Sequence, residues 1–141
     1  MVEVFKYEKR YWYPHMKPAD VVIWERFIEK NPKAYETCLY DYHVGEPPPF
    51  NPLMDEDEDL NQDALYRLKI DVVGQKASHF DIIEIKPNAG PSAIGQVKAY
   101  AELFNVDDPF KTKLNCVIIT DKIRPNMEYL CKQENVRLEI V

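Results

Sequence analysis

Four glycines among 141 residues leave little room for a phosphate-cradling loop, and neither G-x-G-x-x-G nor G-x-x-x-x-G-K-[ST] occurs. The chain therefore holds no nucleotide cofactor and no nucleotide-driven motor. The nucleophile elbow G-x-S-x-G is missing as well. Cysteine is scarce: Cys38, Cys116 and Cys131 are odd in number and widely spaced, with no C-x-x-C and no Cys/His pair at zinc spacing. They read as reduced core thiols of an intracellular, cytoplasmic protein. His15, His43 and His79 are scattered, without H-E-x-x-H, and read as surface or packing residues. No stretch approaches the ~20 continuous apolar residues of a membrane helix, and MVEVFKYEKRYWYP has neither the apolar run nor the cleavage site of a secretory signal.

What is present suits one domain spanning residues 1 to 141, with 45% apolar residues, enough for a single core. The net charge is −6, and the acidity lies in the front half: residues 1 to 64 hold 7 basic and 14 acidic side chains, the remainder 11 and 10. Five of the acids form the run Asp55-Glu56-Asp57-Glu58-Asp59, after Pro47-Pro48-Pro49 and Pro52, so residues 45 to 63 are expected to be an extended, solvated loop. An acidic chain is a poor non-specific binder of polyanions, although a local basic cleft remains compatible with it.

Apolar spacing predicts a first helix over Pro18 to Lys30, with Val21, Trp24, Phe27 and Ile28 inward, Asp20 as its cap and Pro32 beyond its end. Ala34 to Val44 is rich in aromatic and β-favouring residues and reads as a strand closed by Gly45-Glu46-Pro47. Tyr66, Leu68, Ile70 and Val72 alternate with Arg67, Lys69 and Asp71, the pattern of a second strand with one apolar face, ended by Gly74. Phe80 to Lys86 follows as a hairpin partner, stopped by Pro87. Gly90-Pro91-Ser92 opens a helix reaching about Asn105, Cys116 to Ile119 reads as a strand covered on both faces, and a helix from about Pro125 to Glu134 leads to a final strand at Val136 to Ile140. The expected fold is mixed α/β, a sheet flanked by helices.

The chemistry concentrates in Ile82-Ile83-Glu84-Ile85-Lys86. Period two sends Glu84 and Lys86 to one face of an otherwise apolar strand, where charges need partners or a metal. A hairpin brings Asp71 beside Glu84. Two carboxylates suit a hard divalent ion, magnesium with manganese as its substitute, and the lysine can orient an attacking water. These residues resemble the PD-(D/E)xK nuclease superfamily, with Asp71 and Glu84-Ile85-Lys86 in the signature positions and Ile70 where the name-giving proline would stand. Gln96-Val97-Lys98-Ala99-Tyr100 resembles the Q-x-x-x-Y motif of the RecB-like subgroup, with Gln96 and Tyr100 on one helix face. The element order also resembles the αβββαβ, restriction-endonuclease-like core, over most of residues 18 to 120.

The resemblance implies metal-dependent hydrolysis of DNA phosphodiesters. It implies Asp71 and Glu84 as metal ligands with the Ile85 carbonyl as a further one, Lys86 as the water-positioning residue, and Gln96 and Tyr100 as orienting groups. Many members add an acid from the first helix, for which Glu25 and Glu29 are available. Phe5, Tyr7, Tyr11, Trp12 and Tyr13, with Lys6, Lys9, Arg10 and Lys17, could stack bases and contact phosphates, or pack as a strand or arm on the core or on another subunit. The expected partner is DNA, with a homo-oligomer or larger assembly formed to embrace a duplex. The alternative is a nuclease fold serving as a structural or DNA-binding part of a phage particle, and so virion-associated, or of a mobile-element complex. A third possibility is a small regulator acting through the acidic loop.

Overall fold

The computed structural model describes residues 3–45, 68–107 and 113–141. Asp55 to Asp59 and the rest of the expected acidic loop beyond Gly45, and Tyr66 and Arg67 of the expected second strand, lie outside them. Helix α1 (Pro18–Lys30) starts after the extended residue Lys17 with Pro18 in its first turn, where a missing N–H costs nothing. Asp20 makes no capping bond; it lies in the first turn, where the helix dipole favours a negative charge. Ile23, Trp24, Phe27 and Ile28 form the buried stripe. Asn31 closes the helix, its N–H donating to the Phe27 carbonyl at 2.9 Å.

The six strands among the described residues lie side by side in sequence order. β1 (Phe5–Lys6), β2 (Thr37–Val44), β3 (Leu68–Lys76) and β4 (His79–Ile85) pair antiparallel in succession. β5 (Lys113–Thr120) and β6 (Val136–Ile140) continue the sheet in parallel, and parallel neighbours require crossovers. Helices α2 (Ser92–Asp107) and α3 (Met127–Gln133) supply them. One core layer joins α1 to Tyr35, Tyr40, Val72, Ile83 and Ile119, with Phe5, Tyr7 and Tyr13 folded into it. The other joins α2 and α3 to Ile70, Val73, Ile82 and Ile118. The sheet is thus covered on both faces, which accounts for the continuous apolar run in β5.

Two expectations about β3 are corrected. Gly74 does not end the strand, which runs to Lys76 and turns at Ala77-Ser78, with Lys76 paired to His79. A Cβ at position 74 would stand 2.6 Å from the Tyr35 ring, so this glycine marks a close approach. Nor do Ile70 and Val72 share a face: Ile70 packs in the α2 layer and Val72 in the α1 layer. Tyr40 pairs with Val72 and Tyr42 with Ile70, which leaves Asp41 and Asp71 opposite one another between those pairs. Asp41 has φ +50°, and such a left-handed residue interrupts the alternation that an extended strand would keep. The same reversal separates Tyr40 from Val44 on β2.

Candidate active site

Pairing between β3 and β4 runs from Lys76–His79 up to Val72–Ile83 and stops there. The next pair in that register would be Asp71 and Glu84. Instead the strands part, and an oxygen of the Asp71 carboxylate accepts the Ile85 N–H at 2.9 Å, a role that a strand carbonyl would otherwise fill. On its other side β4 stays paired with β5 through Glu84–Ile118 and Ile85–Ile119, and the Lys86 N–H donates to the Ile119 carbonyl at 3.0 Å. Glu84 and Lys86 are therefore carried on a fixed strand end. Glu84 is 8% exposed, whereas Lys86 is exposed at the rim. With Ile83 and Ile85 in the α1 layer and Ile82 in the other, alternation places Glu84 and Lys86 toward α2.

Burial is the main reason that both carboxyls hold their protons more tightly than usual, Asp71 pushed up to about 6 and Glu84 to about 8. Neighbouring negative charge adds to this: Asp20 and Asp41 on Asp71, and Asp71 and Asp20 on Glu84. The Ile85 N–H pulls Asp71 back, and the Lys86 ammonium pulls both back. Tyr100, half-buried on α2, is raised by burial and then by Glu84 and Asp71, which places its hydroxyl within their field. Gln96 stands exposed one turn earlier on the same helix.

The acid that α1 contributes to this field is Asp20, not Glu25 or Glu29. Glu25 accepts a hydrogen bond from the Tyr13 hydroxyl at 3.0 Å, and Glu29 pairs with Lys9. The geometry thus turns the expected helix ligand, Glu25, toward the N-terminal segment. Asp20, read from the sequence as a cap, is raised by burial and lowered by Lys17 and Lys86. Asp41 is the second acid not foreseen: it lies across from Asp71, and its Oδ2 is 3.4 Å from His43 Nε2 and 3.9 Å from His15 Nε2. Pro14, His15 and Met16 line a narrow cleft that opens onto Asp41 and Asp71. The only sequence signal for either was an acid in an otherwise apolar or aromatic context.

This donor set fits a hard divalent cation. Two buried carboxylates repel each other, and one rim ammonium offsets them only in part. Among the described residues no three His, Cys, Asp or Glu side chains converge into a ready-made cage. Magnesium tolerates such a site, because it is commonly held by one or two carboxylates with waters completing its shell. Asp71 keeps one oxygen free of the Ile85 bond, Glu84 has its carboxylate, and the Ile85 carbonyl is adjacent.

The sequence matches no protein-family model and has no match among the curated proteins. Two solved structures match in shape. The EndoMS-dsDNA2 complex aligns with a TM-score of 0.51 at 13% identity, over 95% of this chain and 48% of that one. A repair endonuclease from Pyrococcus abyssi aligns with a TM-score of 0.51 at 14% identity, over 92% of this chain and 49% of that one. The chain thus spans about half the length of the structures it matches. Together with the mixed sheet and its covering helices, these likenesses define a restriction-endonuclease-like α/β fold. No helix among the described residues is long and apolar enough to cross a membrane.

Proposed function

We propose that the chain is a metal-dependent deoxyribonuclease of the PD-(D/E)xK type, close to its RecB-like subgroup. One observation carries the reading: Asp71 and Glu84 are brought together where β3 and β4 separate, both with raised proton affinity, with Lys86 at the rim directly beyond. Burying two carboxylates side by side costs stability and has no packing purpose, whereas a divalent cation turns the repulsion into binding energy. The likeness to two endonucleases, one solved as a complex with dsDNA, supports DNA as the substrate.

Asp71, Glu84 and the Ile85 carbonyl would hold magnesium, which manganese can replace. Once bound, the ion supplies Lewis acidity toward a phosphodiester oxygen and a more acidic water. Lys86 positions that water and faces the negative charge that develops on the phosphate. The Ile85 N–H keeps the Asp71 carboxylate in one orientation. Tyr100 lies in the same field and orients Lys86 or the substrate, with Gln96 one turn away.

Labelled single-stranded, duplex and branched DNA incubated with magnesium, manganese or EDTA tests this reading. Cleavage with either metal, its absence in EDTA, and its loss in Asp71→Ala are expected. An Asp71→Ala protein that cuts at the wild-type rate would exclude the assignment. The second reading is a non-catalytic nuclease fold within a phage or mobile-element assembly, which the acidic net charge of −6 favours, since it gives the chain little bulk attraction for DNA. It predicts DNA or protein binding with no cutting in any metal.

A further inference from the structure

The aromatic segment near the N-terminus divides in two. Phe5, Tyr7 and Tyr13 enter the core, each less than a tenth exposed. Tyr11 and Trp12 do not: Tyr11 is fully exposed and Trp12 is 58% exposed. The two rings wall a recess of about 500 Å³ together with His15, Met16 and Val21. His15 and Met16 also line the cleft that opens onto Asp41 and Asp71. His15 and Met16 thus border both the recess beside the two exposed rings and the cleft at Asp41 and Asp71.

The charge of this neighbourhood limits what the recess can take. Asp20, Asp41, Asp71 and Glu84 make the site acidic, so a phosphate beside it gains little without a cation. A nucleobase carries no charge and presents a flat face, which aromatic side chains stack whatever its sequence. In a duplex that face is already stacked on its neighbours. We propose that Tyr11 and Trp12 stack an unpaired base of the strand being cut, so that DNA with unpaired nucleotides beside the scissile phosphate is preferred over intact duplex. The proposal rests on the nuclease reading above and specifies its substrate. Lys17, at the start of α1, is also exposed.

Trp12 provides the readout, because Trp24, the second of two tryptophans, is fully buried against Tyr40. The full chain is titrated with a labelled oligothymidylate, and separately with a blunt duplex, in calcium to limit turnover; tryptophan emission and label anisotropy are followed together. The single strand should quench Trp12 and bind about tenfold or more tightly than the duplex. Tyr11→Ala/Trp12→Ala should lose about that factor for the single strand alone, and Trp12→Phe, which keeps a stacking face, should retain most of it. The proposal is overturned if the oligonucleotide binds without quenching Trp12, if the double variant binds it as wild type does, or if no oligonucleotide binds. It is also overturned if the double variant only converts a dimer to a monomer by light scattering. Lys86-dependent cutting that ignores Tyr11 and Trp12 rejects the base site alone; Trp12-dependent binding without any cutting rejects the nuclease reading alone.

Discussion

Asp71 and Glu84 have proton affinities that set the sign of a stability effect. Both folded-state values lie above the ordinary carboxylate range near 4. Between the unfolded and folded values the native state binds more protons, so stability falls as pH rises through that window. In EDTA, the melting temperature of Asp71→Asn should exceed that of wild type at pH 8 and converge with it near pH 4, because the amide oxygen can still accept the Ile85 N–H without the charge. A wild type that gains on the variant as pH rises would contradict the repulsion described here. Added magnesium should raise the wild-type melting temperature more at pH 8 than at pH 5, since the ligands must be deprotonated to bind it. Asp71, Glu84 and Lys86 were legible as candidates because charges are conspicuous in a strand of isoleucine and valine. Asp20 and Asp41 were not, because their nearness to Asp71 comes from the packing of α1 on the sheet and from the β2–β3 register, which spacing along the chain does not encode.

The separation of β3 from β4 is what makes room for the site, and the hairpin below that point keeps its strands in register. Gly74 lies in that hairpin beneath Tyr35, so Gly74→Ala forces a methyl into the ring and should cost about 1–3 kcal/mol in denaturant titration. At the other end of β4, Asp81 is 1% exposed and accepts hydrogen bonds from Tyr35 at 2.6 Å, Arg137 at 2.9 Å and Asn115 at 3.0 Å. These bonds tie β4 to β5, to β6 and to the turn before β2. Asp81→Ala should destabilise by about 3 kcal/mol, with chemical denaturation as the measure, while leaving metal affinity in the folded protein unchanged. Among the described residues, period-two and helical spacing located eight of the nine elements near their observed positions, because a sheet covered on one or both faces writes burial into its sequence. The ninth, β1, was expected only as an alternative to base stacking. The β3 end was misplaced because a glycine that yields space to a tyrosine has the same local signature as one that ends a strand.

On the proposed nuclease reading, an acidic molecule must draw its affinity for a polyanion from something other than bulk charge. With a net charge of −6, non-specific attraction is weak, and DNA binding should depend on the divalent cation and on local contacts. EDTA should therefore weaken DNA binding by more than a switch of moderate monovalent salt does, as anisotropy would record. The most direct test of the central claim is the rate of magnesium-dependent DNA cleavage by Lys86→Ala beside wild type, with the melting-temperature gain on adding magnesium recorded for both. The account predicts a comparable thermal gain and a loss of cleavage of about a hundredfold or more. Cleavage at the wild-type rate in Lys86→Ala, or its persistence in EDTA, would contradict it.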